Sequence, residues 1–384
     1  MGPPVEGDDF FGRANEINYV WSKIEAGNNF IFPSPRRVGK TSFALKLLEI
    51  AKNKDWNIIS LNLEGIPTEQ KFVEEFVEKL KELSWWEQVK ENGSTLFKLI
   101  KSLKPSVGFE GVKVDFDWKE QKQDIYNQLE NIINHQEPTL IFFDELTVLL
   151  KAIADKEEDG KKEVTNFLHW LRRIRTTNES NIRWIFCSSV GIENFTHSYG
   201  ISDTINDVPD YKLKAFNKAE SKAMLTALCI NSAIHLDDDL QETIVNKLVY
   251  CIPYFLQITF EKIEYYLEVE GLPLNNSTID IAYESLTEGK HFNTWIERID
   301  EQYGILSMYA FALLKHICKA KEGVTRQSLV NVIASLNAEI GDIENLLAKL
   351  LYMLTNDGYL IEEDGIYQFR SPLLRDFWFK RFVK

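Results

Sequence analysis

Short, unbroken apolar runs alternate with longer stretches of helical periodicity over the first half of this 384-residue chain. Runs of that kind, bounded by Gly, Pro or charged residues, mark strands buried on both faces of a parallel sheet. Asn29–Pro33, Asn57–Leu63, Thr139–Phe143 and Ile182–Cys187 read as four such strands. Between them the apolar spacing predicts helices. One follows Phe10-Phe11-Gly12-Arg13 and runs through Glu16, Val20, Trp21 and Ile24; another runs from Phe43 through Leu45, Leu47 and Leu48 to about residue 53. Further helices are predicted over 68–104, with the pair Trp85-Trp86, over about 120–135 and over 163–176. Val107–Phe109 and Val112–Phe116 flank Glu110-Gly111 and predict a β-hairpin. The polar run Asp155–Lys162 reads as a solvated loop. Strands alternating with helices over 29–190 predict an α/β domain with a mostly parallel sheet.

From about residue 212 the pattern changes. Residues 217–296 carry helical periodicity and almost no strand signal. Helical patterns over 306–320, 325–337 and 341–356 then precede two short strand-like runs, Tyr359–Glu362 and Tyr367–Phe369, around a Glu-Asp-Gly turn. Three helices and a hairpin predict a winged helix. The expected organisation is an α/β domain over 1–211 with an insertion at about 66–120, a helical lid over 212–300 and a winged helix over 301–384.

The chemistry concentrates where the first strand ends. Asn29–Phe32 stops at Pro33-Ser34-Pro35-Arg36-Arg37-Val38, and Gly39-Lys40-Thr41-Ser42 opens the next helix. This is the strand–loop–helix context of a Walker A phosphate loop, with Ser34 where the first glycine of G-x-x-x-x-G-K-[ST] stands. Backbone N–H groups of Ser34, Arg37, Val38, Gly39 and on to Ser42 would surround a phosphate at the helix N-terminus. Lys40 would reach the β- and γ-phosphates of ATP or ADP, and the Thr41 hydroxyl would ligate Mg²⁺. The bland alternative is a chance Gly-Lys-Thr after a strand. A second motif argues against it. Thr139–Phe143 runs into Asp144-Glu145, where a Walker B aspartate holds Mg²⁺ and the next carboxylate serves as general base toward the attacking water. The two motifs are expected on neighbouring strands.

Composition is that of an ordinary globular protein, 44% hydrophobic and 27% charged. A net charge of −14 disfavours broad binding to nucleic acid or anionic membranes. The four cysteines are far apart and the six histidines do not cluster, so neither a disulfide framework nor a zinc site is indicated. With no secretory signal and no apolar stretch of membrane-spanning length, a cytoplasmic location without membrane contact is expected.

Several motifs together resemble one family. Phe11-Gly12-Arg13, Pro35–Ser42, Asp144-Glu145, Ser188–Glu193, Ile205-Asn206-Asp207, Ile252–Gln257 and Phe369–Trp378 occur in the order of the STAND branch of AAA+-related P-loop ATPases, in its archaeal-ATPase-like group. The resemblance spans nearly the whole chain; the phosphate loop and the C-terminal motif are its most specific parts. It implies that Arg13 approaches the nucleotide, that Ser189 occupies the sensor-1 position near the γ-phosphate, and that Pro253 is the lid-helix proline that packs on adenine. The family usually has glycines where Tyr250 and Cys251 stand here. It also implies a slow Mg-dependent ATPase acting as a switch, closed with ADP and open with ATP, which signals or assembles. With no fused effector or repeat array recognised in the chain, the output is expected to come from a partner or effector chain, or from a nucleotide-dependent homo-oligomer, as in stress or phage defence.

Two other functions compete. A winged helix can bind DNA, but residues 306–384 carry ten Lys/Arg against nine Asp/Glu, and the helix that would enter the major groove carries Asp342, Glu344 and only Lys349. Strong DNA binding is therefore not expected. A non-hydrolysing, nucleotide-stabilised scaffold is the third reading, because of Ser34. Arg172, Arg173 and Arg175 offer an arginine finger, or simply a basic helix end that complements the helix dipole. Trp118, Trp170, Trp184 and Trp295 are expected in the core, and the basic segment Phe377–Lys384 is expected to lie against the wing.

Overall fold

A computed structural model describes residues 4–33, 35, 37–86, 117–133, 137–156, 159–177, 181–188, 191–230, 232–336 and 342–384, the side chains of Asp8 and Lys156 excepted. The hairpin expected over 107–116 and the later part of the helix expected over 68–104 lie outside these residues, as do Ser34, Arg36 and Ser189. The chain divides into two units, one of Met1–Pro33 with Lys40–Lys212, the other of Ser34–Gly39 with Leu213–Lys384.

In the first unit the four expected strands form. They are β1 (Phe30–Phe32), β2 (Asn57–Asn62), β3 (Thr139–Asp144) and β4 (Ile182–Cys187), all parallel, in the order β1-β4-β3-β2. The strands that carry the Walker A-like and Walker B-like runs are therefore not neighbours, as the sequence reading expected: β4 lies between them. The reason is burial. β4 is apolar and buried at all but one position, so it takes a place paired on both sides, whereas β2 alternates buried and exposed residues and, among the described residues, takes an edge. On the far side of β1, Ile31 pairs in parallel with Asp210; the Ile31 N–H donates to the Pro209 carbonyl and the Tyr211 N–H to the Ile31 carbonyl.

The described α-helices of the unit are α1 (Ala14–Glu25), α2 (Lys40–Asn53), α3 (Glu69–Lys81), α4 (Trp118–Ile133), α5 (Leu146–Lys156), α6 (Gly160–Thr176) and α7 (Ile192–Tyr199). The core gathers Phe72, Phe76, Phe143, Phe167, Trp170 and Trp184, all nearly or fully buried. The ring of Tyr126 stacks on Trp170 at 4.1 Å. The polar run that reads as a loop is mostly helical: α5 extends to Lys156 and α6 begins at Gly160. Gly160 is buried, and a Cβ there would lie 2.0 Å from the Ala154 carbonyl oxygen, so the first position of α6 has no room for a side chain.

The second unit begins with α8 (Lys218–Ile230), α9 (Asp238–Leu248), α10 (Pro253–Glu268), α11 (Asn276–Leu286) and α12 (Asn293–Tyr303). It continues with α13 (Ser307–Ile317), β5 (Val324–Thr325), α14 (Arg326–Leu336), α15 (Ile343–Asn356), β6 (Leu360–Glu363), β7 (Ile366–Phe369) and α16 (Pro372–Phe382). The strands form an antiparallel sheet in the order β5-β7-β6, and Asp364-Gly365, both at positive φ, make the wing's tight turn. This is a winged helix. α16 seats Leu373, Leu374, Phe377 and Trp378 in the core, so the C-terminal segment is a packed helix, as expected.

The C-terminal motif is architectural. Arg370 Nη2 donates to the carbonyls of Thr355 and Leu360, the Ser371 hydroxyl caps α16 by accepting from the Leu374 N–H, and Asp376 accepts from Tyr283 Oη at 2.9 Å. A second tie joins α12 to the end of α15: the Arg298 guanidinium and the Tyr303 hydroxyl both donate to the buried Asp357 carboxylate.

One backbone position is strained. Val249, just past α9, has φ 57 and ψ −55, with the Tyr250 N–H donating to the Leu248 carbonyl across a three-residue turn. A β-branched residue in that region is an outlier, and at 68% exposure its side chain packs too little to compensate. Val249→Gly should therefore stabilise the protein. Relief of about 1–2 kcal/mol of left-handed strain exceeds the roughly 0.5–1 kcal/mol entropic penalty of glycine. The expected observation is a higher urea midpoint at unchanged slope; a lower midpoint would show that the turn carries no such strain.

Candidate functional site

The loop expected to hold phosphate follows β1 after Pro33, and α2 begins at Lys40. Gly39 has φ 96, which a side chain would resist, while a Cβ there would meet nothing within 4 Å; glycine is needed for conformation rather than space. Val38 is fully buried and Lys40 nearly so. Starting the helix at Lys40 leaves the N–H groups of its first turn directed out of its N-terminus, the arrangement that favours an anion.

The residues expected to hold a metal come together. Thr41 Oγ1 donates to Asp144 Oδ2 at 2.7 Å, and the Glu145 N–H donates to Asp144 Oδ1 at 3.0 Å. Burial pushes the Asp144 carboxyl above its ordinary range; the Thr41 hydrogen bond and the Lys40 charge pull it down, and Glu145 pushes it further up. Because the folded-state value is raised, ionising Asp144 removes stability as pH rises past the ordinary carboxylate range, and a cation at this point would offset that cost. A hydroxyl and a carboxylate in contact, with a second carboxylate on the next residue, are hard oxygen donors of the kind Mg²⁺ takes. Glu145 itself sits at φ 56, in the left-handed region, where it turns the chain out of β3 before α5 starts at Leu146.

Other expected site residues are engaged in ways the sequence did not show. Ser42 Oγ accepts from the Val5 N–H at 2.9 Å, pinning the N-terminal segment on the first turn of α2. Arg13, also left-handed at φ 61, precedes α1 and sends Nη1 to both carboxylate oxygens of Glu16 at 3.0 Å. The Arg37 guanidinium goes to His291, Thr294 and Tyr254 of its own unit. Pro253 is the first residue of α10, where its fixed φ suits a helix start; it belongs to the second unit.

One contact goes beyond the sequence motifs, although Ser188 opens one of them. The hydroxyls of Thr147, on α5, and Ser188, just after β4, are hydrogen-bonded to each other. They join the end of the central strand to the helix that follows Asp144-Glu145. The signal for it is slight, a buried threonine within an otherwise apolar helix face. The three arginines at the end of α6 all have acidic partners: Arg175 pairs with Asp207 at 3.0 Å, Arg172 lies 3.9 Å from the same carboxylate, and Arg173 meets Glu130 at 3.3 Å. Arg175 is buried in that pairing, so it is a structural tie to the 204–207 segment.

The whole chain is similar in fold to a Walker-type ATPase of Pyrococcus abyssi, with 16% identity, a TM-score of 0.62 and 98% of each chain covered. It is also similar to the ORC2 protein of Aeropyrum pernix, solved as ADPNP–ADP complexes, with 12% identity, a TM-score of 0.56, and 97% of this chain and 94% of that one covered. No protein-family model and no curated protein sequence matches the chain. The chain thus has the fold of a P-loop NTPase core, with a parallel sheet, followed by helical and winged-helix regions. Among the described residues no helix is long and apolar enough to cross a membrane.

Proposed function

We propose that the protein is a Mg²⁺-dependent, ATP-binding switch ATPase whose nucleotide state is passed to a partner chain or to a second copy of itself. The observation that carries the reading is the 2.7 Å bond between the Thr41 hydroxyl and the Asp144 carboxylate at the start of the Lys40 helix. In this reading Lys40 grips the β- and γ-phosphates, and the helix N–H groups hold the phosphate oxygens. Thr41 and Asp144 would hold the magnesium ion, which supplies charge neutralisation to the phosphates. Glu145 accepts a proton from the attacking water. Ser189 as γ-phosphate sensor and Pro253 and Arg13 as nucleotide neighbours follow the STAND resemblance. So do the ADP-closed, ATP-open cycle, a cytoplasmic setting and a role in stress or phage defence.

The winged helix is better suited to a protein partner than to duplex DNA. Its wing tip exposes Glu362, Glu363 and Asp364, and Arg326 pairs with Glu344 of α15 at 2.8 Å.

Lys40→Ala tests the binding reading. ATP at about 100 times its Kd should stabilise the wild type by about 2.7 kcal/mol in thermal unfolding, and the variant should show no such gain. A wild-type melting temperature unmoved by Mg-ATP would remove the phosphate-binding site from consideration.

A further inference from the structure

Seven positions between Ser34 and Ser42 are expected from the motif to serve the nucleotide through their backbone, and Arg37 is one of them. Its side chain has a different task. Residues Ser34–Gly39 belong to the same unit as Leu213–Lys384, whereas Pro33 before them and Lys40 after them belong to the other. Two side chains make that assignment physical. Arg37 Nη1 donates to the His291 carbonyl at 2.5 Å and Nη2 to the Thr294 hydroxyl at 3.1 Å, while the guanidinium carbon lies 4.0 Å from the centre of the Tyr254 ring. Tyr254 is the second residue of α10, Thr294 is in the first turn of α12, and His291 is in the short turn before it. One planar fork thus bridges three elements, which a lysine ammonium would not do. The second side chain is Pro35. A Cβ at Gly358 would fall 2.6 Å from two atoms of the Pro35 ring, so the turn after α15 is open only to a glycine. Arg37 also holds φ 66, a backbone region a non-glycine residue keeps only when its surroundings enforce it.

We propose that Arg37 is a positioning residue: a clasp that, with Pro35, holds the phosphate loop to the helical and winged-helix unit, so that this unit sets the loop conformation preceding Lys40. The consequence for nucleotide binding rests on the phosphate-loop reading above; the clasp itself does not. The loop is joined to Lys40 by a single peptide bond. A change in the second unit that releases Arg37 alters the backbone N–H groups available to the phosphates. By linkage, phosphates that require the clasped loop favour the clasped second unit.

The test compares wild type, Arg37→Ala, Arg37→Lys, Tyr254→Leu, Thr294→Val and the Arg37→Ala/Tyr254→Leu double variant, all as full-length chains. Without nucleotide, amide hydrogen exchange at Arg37, Val38 and Gly39 should be about tenfold faster in Arg37→Ala and in Tyr254→Leu, and intermediate in Arg37→Lys and in the conservative Thr294→Val. With Mg-ATP, each of the two larger single variants should weaken binding, and the double variant should be no weaker than Arg37→Ala. Two results would overturn the clasp. One is unchanged exchange at these amides in every variant. The other is ATP affinity lost in Arg37→Ala alone with Tyr254→Leu and Thr294→Val behaving as wild type, which makes Arg37 a direct phosphate ligand. If the wild type binds no ATP, the nucleotide reading fails, and the exchange data still decide the clasp.

Discussion

Glu145→Gln should bind ATP about as tightly as the wild type and lose about 10²–10⁴-fold in single-turnover hydrolysis, the range that removal of a general base brings. The argument starts from the backbone. β3 ends at Asp144, and the left-handed φ of Glu145 turns the chain into α5 within one residue. A non-glycine residue in that conformation costs on the order of 1–3 kcal/mol, a strain that collects at functional sites. The Glu145 N–H donates to Asp144 Oδ1 and so orients the Asp144 carboxylate; in the proposed mechanism Asp144 holds the cation and Glu145 takes the proton. Gln keeps the shape and the hydrogen-bonding reach of Glu145 and removes only its basicity. Asp144→Asn behaves differently: it retains an acceptor for Thr41 but lacks the charge a cation needs, so it should weaken the Mg²⁺-dependent part of ATP binding. A switch would also leave Glu145→Gln accumulated in the ATP state, with an altered size-exclusion profile in ATP relative to ADP. Equal hydrolysis by the variant and the wild type would move the non-hydrolysing scaffold ahead of the ATPase.

Asp357→Ala should destabilise the protein by about 3–5 kcal/mol, the cost of leaving one member of a buried ion pair without its partner. Arg298 and Asp357 are 2% and 4% exposed, and the substitution leaves the guanidinium in a place from which water is excluded. It also removes the acceptor of the Tyr303 hydroxyl, whose proton this burial and the Asp357 charge hold well above the usual tyrosine range. Asp357→Asn preserves the volume and one acceptor and should lose less. Urea unfolding measures both. A loss below about 1 kcal/mol for Asp357→Ala, the scale of an exposed pair, would mean that water reaches the guanidinium.

Much of the site is legible in the amino-acid sequence. The Walker A and B runs are local statements: an apolar strand, a turn, and a residue whose chemistry is useful at a strand's end. Lys40, Thr41, Asp144 and Glu145 stand where those runs put them, and Thr41 meets Asp144 across 103 positions of sequence. The same holds for the winged helix, whose hairpin turn is written in Asp364-Gly365. Arg37 and Ser42 are less legible. Motif position implies phosphate contact for both, yet their side chains serve the second unit and the N-terminal segment. Motif position describes the backbone of such a loop and leaves its side chains open.

By itself the sequence determined the four strands of the parallel sheet and most of the described helices, and it put Lys40, Thr41, Asp144 and Glu145 forward as candidates for the chemistry. Each of those follows from how a segment buries its own apolar face, and that is recorded at periods of two to four residues. The tertiary structure alone decided that β4 stands between the two motif strands, that Ser188 meets Thr147, and that Arg37 reaches the His291 carbonyl 254 residues away. Strand order depends on which strands can be covered on both faces at once. Long-range side-chain bonds depend on which polar groups are left to pair once the apolar surfaces have closed. Both are properties of the assembled layers, and no local periodicity encodes them.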